Sequence, residues 1–144
     1  MEITRRRLMA GGGAALAAGI AGAGFAATGA VLGSGRLTTL SDGNLVLPRA
    51  FLLGDLPQDA ANAGLAQHGI TGDTLRPPCN LTLWQDGTRT VLFDAGSGHA
   101  FMPSAGKLMD ALEAAGVAPG EITHILFTHA HPDHLWGVLD DFDD

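Results

Sequence analysis

The chain has 144 residues, a formal net charge of −7, one Cys and no Tyr. Hydrophobic residues make up 46% and charged residues only 16%, which argues against wholesale disorder. The single Cys excludes a disulfide framework and a Cys-rich zinc module. The acidic balance argues against a nucleic-acid partner, because neutralising phosphates requires clustered Lys and Arg. We expect one small folded domain, or a part of one.

The first thirty residues have the pattern of an export signal. The basic run Arg5–Arg7 precedes the uncharged stretch Ala10–Ala30, which is rich in Ala and Gly. The stretch Thr4–Met9 resembles a twin-arginine signal. We therefore predict a twin-arginine-type signal peptide over residues 1–30 and a folded portion over residues 31–144.

This signal would make the twin-arginine export machinery a partner of the protein. It predicts a periplasmic or secreted location, with membrane contact only through the signal segment. The alternative is an uncleaved N-terminal membrane anchor, because the apolar run is long enough to span a bilayer.

The first half of the remaining chain predicts strands and one helix. The apolar run Leu45–Leu53 predicts an edge strand. The range Asp59–Gln67 predicts a helix. The ranges Leu81–Gln85 and Thr88–Phe93 predict a β-hairpin, because the intervening Asp-Gly pair tolerates the positive φ of a tight turn.

The second half predicts a loop, a helix and another strand. The stretch Asp94–Gly98 is a glycine-rich loop, and Ser104 is a candidate N-cap for a helix that Gly116 ends. The run Ile122–Thr128 predicts a buried strand. Together these elements indicate an α/β sandwich with a mixed sheet. The apolar residues of the predicted helix share one face: Leu108, Ala111, Leu112 and Ala115.

A cluster of metal-binding residue types follows the last predicted strand. His129, His131, Asp133 and His134 lie within six consecutive positions. Neutral imidazoles and carboxylates suit zinc and similar divalent ions. In an extended loop His129 and His131 point to the same side, whereas Asp133 and His134 begin the next helix and diverge by about 100°. Two cations about 3.5–4 Å apart can share these ligands more easily than one tetrahedral cation can take all four.

The cluster matches the H-x-H-x-D-H signature of the metallo-β-lactamase-fold hydrolases. Its context also resembles that superfamily, with Val91–Gly96, a helix and Ile122–Thr128 preceding the signature. The resemblance implies an α/β fold, an αββα sandwich with the site at the sheet edge and only its N-terminal half present. The range 98–108 resembles, more weakly, the exported lactonases and organophosphate hydrolases.

The resemblance also implies roles for individual residues. His129 and His131 would bind one cation, and Asp133 and His134 the other. The cofactor implied is a pair of divalent ions, zinc in the first place, although iron, manganese and cobalt accept the same ligands. These ions would supply a metal-bound hydroxide, oriented by the catalytic Asp133, for attack on an ester, lactone, β-lactam or phosphotriester. Asp94 either supports the metal loop through a hydrogen bond or simply forms a turn.

The resembled family has further metal ligands downstream, whereas residues 135–144 contain no His. We therefore expect a partial sequence of a binuclear hydrolase with a small-molecule substrate. As given, the chain should bind metal poorly and leave a sheet face exposed. Two alternatives stay open: a non-catalytic metal-binding or interaction remnant, and a nucleic-acid-processing member of the fold. The export signal and the acidic balance count against the latter.

Overall fold

The computed structural model describes residues 28–139. The predicted signal peptide therefore lies outside the described residues, apart from residues 28–30. In chain order the elements are β1 (Gly29–Leu32), β2 (Gly35–Asn44), β3 (Leu47–Pro48), α1 (Arg49–Leu53), α2 (Gln58–Gln67), β4 (Thr74–Leu75), β5 (Pro78–Gln85), β6 (Thr90–Phe93), α3 (Leu108–Ala114), β7 (His124–Leu126) and α4 (Pro132–Leu135), with 3-10 helices at Pro119–Glu121 and Trp136–Val138.

A five-stranded mixed sheet forms the framework, in the order β1-β2-β5-β6-β7. Its neighbours pair antiparallel except β6 and β7, which run parallel with Phe93 opposite Leu126. The strands β3 and β4 form a separate two-stranded sheet. The parallel pair matters for the site, because the carboxyl ends of neighbouring parallel strands meet at the same edge of a sheet. The predicted mixed sheet is confirmed.

The hairpin predicted around Asp86 and Gly87 is confirmed, with a longer loop than expected. Gln85 pairs with Thr90, so four residues connect the strands. Gly87 has a φ of +87°, while the Asp86 carboxylate accepts hydrogen bonds from the backbone N–H groups of Thr88 and Arg89 at 2.9 and 2.7 Å. The backbone N–H of Arg89 contributes most to holding the pKa of Asp86 below its ordinary value.

Helix α3 covers one face of the sheet, and its predicted apolar face is confirmed. The buried residues of this helix are Leu108, Ala111 and Leu112. Gly116 follows the helix with a φ of +70°, as expected for the residue that ends a helix. Between the helix and the sheet lies one apolar core, made of Leu40, Leu81, Leu83, Leu92, Leu108, Ala111, Leu112 and Val117.

Two local predictions were wrong. Most of the predicted strand Leu45–Leu53 is helix α1, in which Phe51 is 76% exposed. A short apolar run fits a strand or a helix equally well, and Pro48 is compatible with the start of a helix. Ser104 does not cap α3, which begins at Leu108. The Ser104 hydroxyl instead donates a hydrogen bond to the carbonyl oxygen of Asn44 at 2.7 Å.

The two edge strands of the five-stranded sheet also differ from the prediction. Strand β7 is shorter than predicted and its residues are exposed rather than buried, because it is the edge strand of the sheet in the part of the chain described. At the other edge, β1 and β2 form a hairpin that was not predicted, and β1 already includes Gly29 and Ala30. No helix between residues 28 and 139 is long and apolar enough to cross a membrane.

Candidate metal centre

The predicted metal ligands lie on the loop that follows β7 and on the first turn of α4, which we call the metal loop (residues 127–134). This position is the carboxyl end of the parallel pair β6 and β7. The backbone of His131 is extended, with φ −73° and ψ 151°, and Pro132 then starts the short helix. Asp133 and His134 therefore occupy the first turn of a helix, as predicted.

The three imidazoles of the metal loop lie against one another. The Nε2 atom of His129 is 3.0 Å from the Nδ1 atom of His131. The ring centroids of His129 and His134 are 3.9 Å apart, and the Nε2 atom of His134 is 3.4 Å from an Asp133 carboxylate oxygen. The expectation that Asp133 and His134 point partly away from the first pair was wrong for His134, because its ring lies beside that of His129.

Asp94 lies directly beneath this cluster, at the end of β6. Its carboxylate is 2.8 Å from the Nδ1 atom of His134 and accepts hydrogen bonds from the backbone N–H and hydroxyl of Thr128 at 2.7 and 2.8 Å. Its backbone has a φ of +63°, and its N–H donates to the carbonyl oxygen of Leu126. Asp94 thus does both things considered above: it turns the chain and it contacts the metal loop.

Asp94 is a buried residue, with an exposed fraction of 6%. Burial raises its pKa, but the hydrogen bonds from His134 and Thr128 outweigh that effect and hold the pKa below its ordinary value. Asp94 is therefore a carboxylate that accepts hydrogen bonds from both the backbone and a ring of the metal loop.

Sequence reasoning missed Thr128, which connects Asp94 to the first imidazole. Its hydroxyl oxygen lies 2.8 Å from Asp94 and 3.0 Å from the Nδ1 atom of His129. The hydroxyl has a single hydrogen, which it gives to the carboxylate, so its oxygen accepts a hydrogen bond from His129. The signal that could have found it is a hydroxyl residue directly before the first His of the motif.

The same logic assigns protons to two rings of the cluster. Because the Asp94 carboxylate can only accept, the Nδ1 atom of His134 carries a proton. The Nδ1 atom of His129 carries one as well, and its Nε2 atom lies 3.0 Å from the Nδ1 atom of His131. The contacts with Asp94 and Thr128 thus occupy the Nδ1 atoms of His134 and His129, and the Nε2 atom of each ring faces the cluster. This is the arrangement in which outer hydrogen bonds leave one nitrogen of a metal-binding His free.

The glycine loop (residues 94–98) contacts the backbone at the end of α4 and just after it. The N–H of Ala95 donates to the carbonyl oxygen of His134 at 2.8 Å, and the N–H of Gly137 donates to that of Gly96 at 3.0 Å. A Cβ atom on Gly137 would overlap the carbonyl oxygen of Ala95. The backbone after His134 is therefore fixed against the glycine loop at van der Waals contact.

An aromatic pair lies next to this backbone. The rings of Phe101 and Trp136 meet edge to face, with centroids 5.5 Å apart and planes at 88°. Trp136 is 42% exposed, so it packs on one side and meets solvent on the other. Cys79 is buried; burial raises the pKa of its thiol, and the charges of Asp42 and Asp133 add to that effect.

The side chains of the cluster are of types that bind divalent cations. Their arrangement, however, is not that of a site with a bound metal ion. Among residues 28–139, no three His, Cys, Asp or Glu side chains are placed so as to hold a metal ion. The Nε2 atom of His129 and the Nδ1 atom of His131 are 3.0 Å apart, whereas two nitrogens on one tetrahedral zinc are about 3.3 Å apart, given Zn–N bonds of about 2.05 Å. The side chains of His129 and His131 are exposed, so packing against the core does not fix the orientation of their rings.

Comparison with known proteins relates this chain to one superfamily. A family model described as the metallo-beta-lactamase superfamily matches residues 70–140, which include the hairpin, the glycine loop and the metal loop. This match covers just under half of the chain and supports a metallo-β-lactamase-fold protein. One curated relative, metallo-beta-lactamase domain-containing protein 1 of Xenopus laevis, is 36% identical over 66 residues, which are 46% of this chain and 26% of that protein.

Solved structures of the metallo-beta-lactamase superfamily share the fold over most of the chain. The dizinc quorum-quenching lactonase AidC matches with a TM-score of 0.75 and 25% identity, over 81% of this chain and 40% of that one. The hydrolase AbOPH matches with a TM-score of 0.73 and 27% identity, over 83% of this chain and 41% of that one. The predicted α/β metallo-β-lactamase fold is confirmed, and the chain spans about two fifths of these structures.

Proposed function

We propose that the complete protein is a metal-dependent hydrolase that uses two divalent cations, zinc in the first place, on a small ester, lactone, β-lactam or phosphotriester. Its structural neighbours include the hydrolase AbOPH and the dizinc quorum-quenching lactonase AidC. The observation that carries the proposal is the contact of three imidazoles and Asp133 above a buried carboxylate, Asp94.

The chain's own residues prepare the site in two ways. Thr128 and Asp94 contact the rings of His129 and His134 at Nδ1, so that Nε2 is the nitrogen of each ring that would face a cation. Asp133 adds a carboxylate oxygen at 22% side-chain exposure, close to His134. When bound, divalent cations lower the pKa of water and polarise the electrophilic oxygen of a substrate.

Metal analysis and a substrate panel test this proposal on the complete gene product. We expect about two zinc-like ions per chain and hydrolysis of at least one of an ester, a lactone, a β-lactam and a phosphotriester. A chelator should abolish turnover and added zinc should restore it. The matched control is His124→Ala, because His124 is exposed on β7, outside the cluster. Full activity of the metal-free protein would refute the proposal, as would a complete protein that binds no metal.

We also propose that the protein is exported folded through the twin-arginine route. The support is the sequence of residues 4–9, which precedes the described residues. The double variant Arg5→Lys, Arg6→Lys should stay in the cytoplasm, since that route reads the paired Arg. A matched control, Arg36→Lys with Arg49→Lys, changes two Arg of the folded part and should be exported like the parent. Fractionation that shows equal export of all three proteins would count against this route.

A further inference from the structure

A buried carboxylate that the proposed site does not use lies at the end of β2. Asp42 has no exposed surface. One of its oxygens accepts hydrogen bonds from the backbone N–H and hydroxyl of Ser97, both at 2.9 Å, and from the N–H of Gly106 at 3.3 Å. Its other oxygen accepts from the N–H of Leu108 at 2.9 Å. Burying a carboxylate is costly unless such donors surround it.

These donors belong to two segments, of which the one before α3 also contacts β2 through Ser104 and the backbone N–H of Lys107. Ser97 is part of the glycine loop, whereas Gly106 and Leu108 lead into α3. The glycine loop passes over the carboxylate at close range, because a Cβ atom on Gly96 would lie 2.7 Å from the carboxyl carbon of Asp42. Gly96 also has a φ of +75°, which favours glycine. Asp42 therefore fixes the path of the glycine loop.

The glycine loop in turn contacts the backbone that carries His134. Ala95 and Gly96 exchange hydrogen bonds with His134 and Gly137. A Cβ atom on Gly98 would lie 3.1 Å from the carbonyl oxygen of Trp136. A continuous set of direct contacts thus runs from Asp42 through the glycine loop to residues 134–137. Asp94 orients the ring of His134, and Asp42 holds the loop against which its backbone rests.

We propose that Asp42 is a positioning residue that fixes residues 134–137, and through them His134, by way of the glycine loop. The part of this proposal that concerns metal rests on the proposed function. The part that concerns the backbone does not, because it can be measured without metal.

Three variants of the complete protein separate positioning from general stability. Asp42→Ala removes both carboxylate oxygens at once. Asp42→Asn keeps one oxygen, which suits the side that receives Ser97 and Gly106, while its NH₂ group faces the N–H of Leu108. Leu83→Ala is the control, because Leu83 has no exposed surface and lies in the apolar core.

The first measurement is amide hydrogen exchange in the metal-free protein, under conditions where all variants are folded. We expect Asp42→Ala to speed exchange of the Ala95 and Gly137 amides about tenfold relative to Leu83→Ala, because local opening depends on local contacts. Equal exchange at these two amides in Asp42→Ala and Leu83→Ala would overturn the proposal. If Asp42→Ala does not fold, Ser97→Ala takes its place, with about threefold faster exchange at Gly137 expected and no change contradicting it.

The second measurement is zinc affinity. We expect Asp42→Ala to bind zinc at least about tenfold more weakly than the parent, the range found when groups that orient ligands are lost. Asp42→Asn and Leu83→Ala should stay within about threefold, even where their melting temperatures fall. Affinity that follows melting temperature across all variants would overturn the positioning role. A parent protein that binds no zinc would refute the proposed function, while the exchange measurement would still decide the role of Asp42.

Discussion

Replacing His131 by Ala is expected to abolish hydrolysis and to leave the fold intact. We expect a loss of more than about 100-fold in kcat/KM, since losing a residue that only supports a metal ligand already costs about 10–100-fold. The side chain of His131 is exposed and contacts the ring of His129. Its removal therefore takes away a candidate ligand without opening the core.

The measurement compares His131→Ala with His124→Ala in steady-state kinetics, metal content and thermal unfolding. His124 is also exposed, and its Nδ1 atom contacts the hydroxyl of Thr123, away from the cluster. Both variants should unfold near the parent's melting temperature, and His131→Ala alone should lose metal and turnover. Unchanged turnover of His131→Ala would remove this residue from the site.

Replacing Asp94 by Ala is expected to weaken both the metal centre and the fold. Zinc affinity should fall about 10–100-fold, because the ring of His134 loses the group that orients it. The free energy of unfolding should fall by about 1–3 kcal/mol, because the part-buried N–H of Thr128 loses its acceptor. Alanine also tolerates the φ of +63° at this position poorly.

Two further variants separate these effects of Asp94. Asp94→Gly removes the carboxylate but accepts the left-handed backbone, so its difference from Asp94→Ala in urea unfolding measures the backbone cost, less the greater freedom of Gly in the unfolded chain. Asp94→Asn tolerates the same backbone and keeps one acceptor for Thr128. Zinc titration should rank the parent above Asp94→Asn, and Asp94→Asn above Asp94→Gly. Equal zinc affinity in all of them would show that Asp94 only turns the chain.

The sequence could predict the features that depend on residues close together in the chain. The hairpin follows from Asp86-Gly87, the face of α3 from the spacing of Leu108, Ala111 and Leu112, and the candidate ligands from His129 to His134. In each case the residues that interact are close in the sequence, so that spacing alone determines which side chains share a face or a turn. The proposed role of these ligands stays a prediction.

The features that were missed depend on contacts between distant residues. Strand β2 alternates weakly and contains polar residues, of which Thr38 and Asp42 are buried. Asp42 follows Ser41 and precedes Gly43, a sequence typical of a turn, and its partners at Ser97 and Leu108 lie 55 and 66 residues away. No local pattern distinguishes such a buried carboxylate from a solvated turn residue. The burial of β7 was overestimated for the same reason, since composition does not say whether a strand lies at an edge.

We propose that the imidazoles of the metal loop bind divalent cations. Nitrogen NMR of the complete protein, recorded while zinc is added, tests it most directly. We expect the Nε2 resonances of His129 and His134 to shift as zinc binds, while the resonances of His124 stay unchanged. Zinc binding that leaves the resonances of all three metal-loop imidazoles where they were would contradict it.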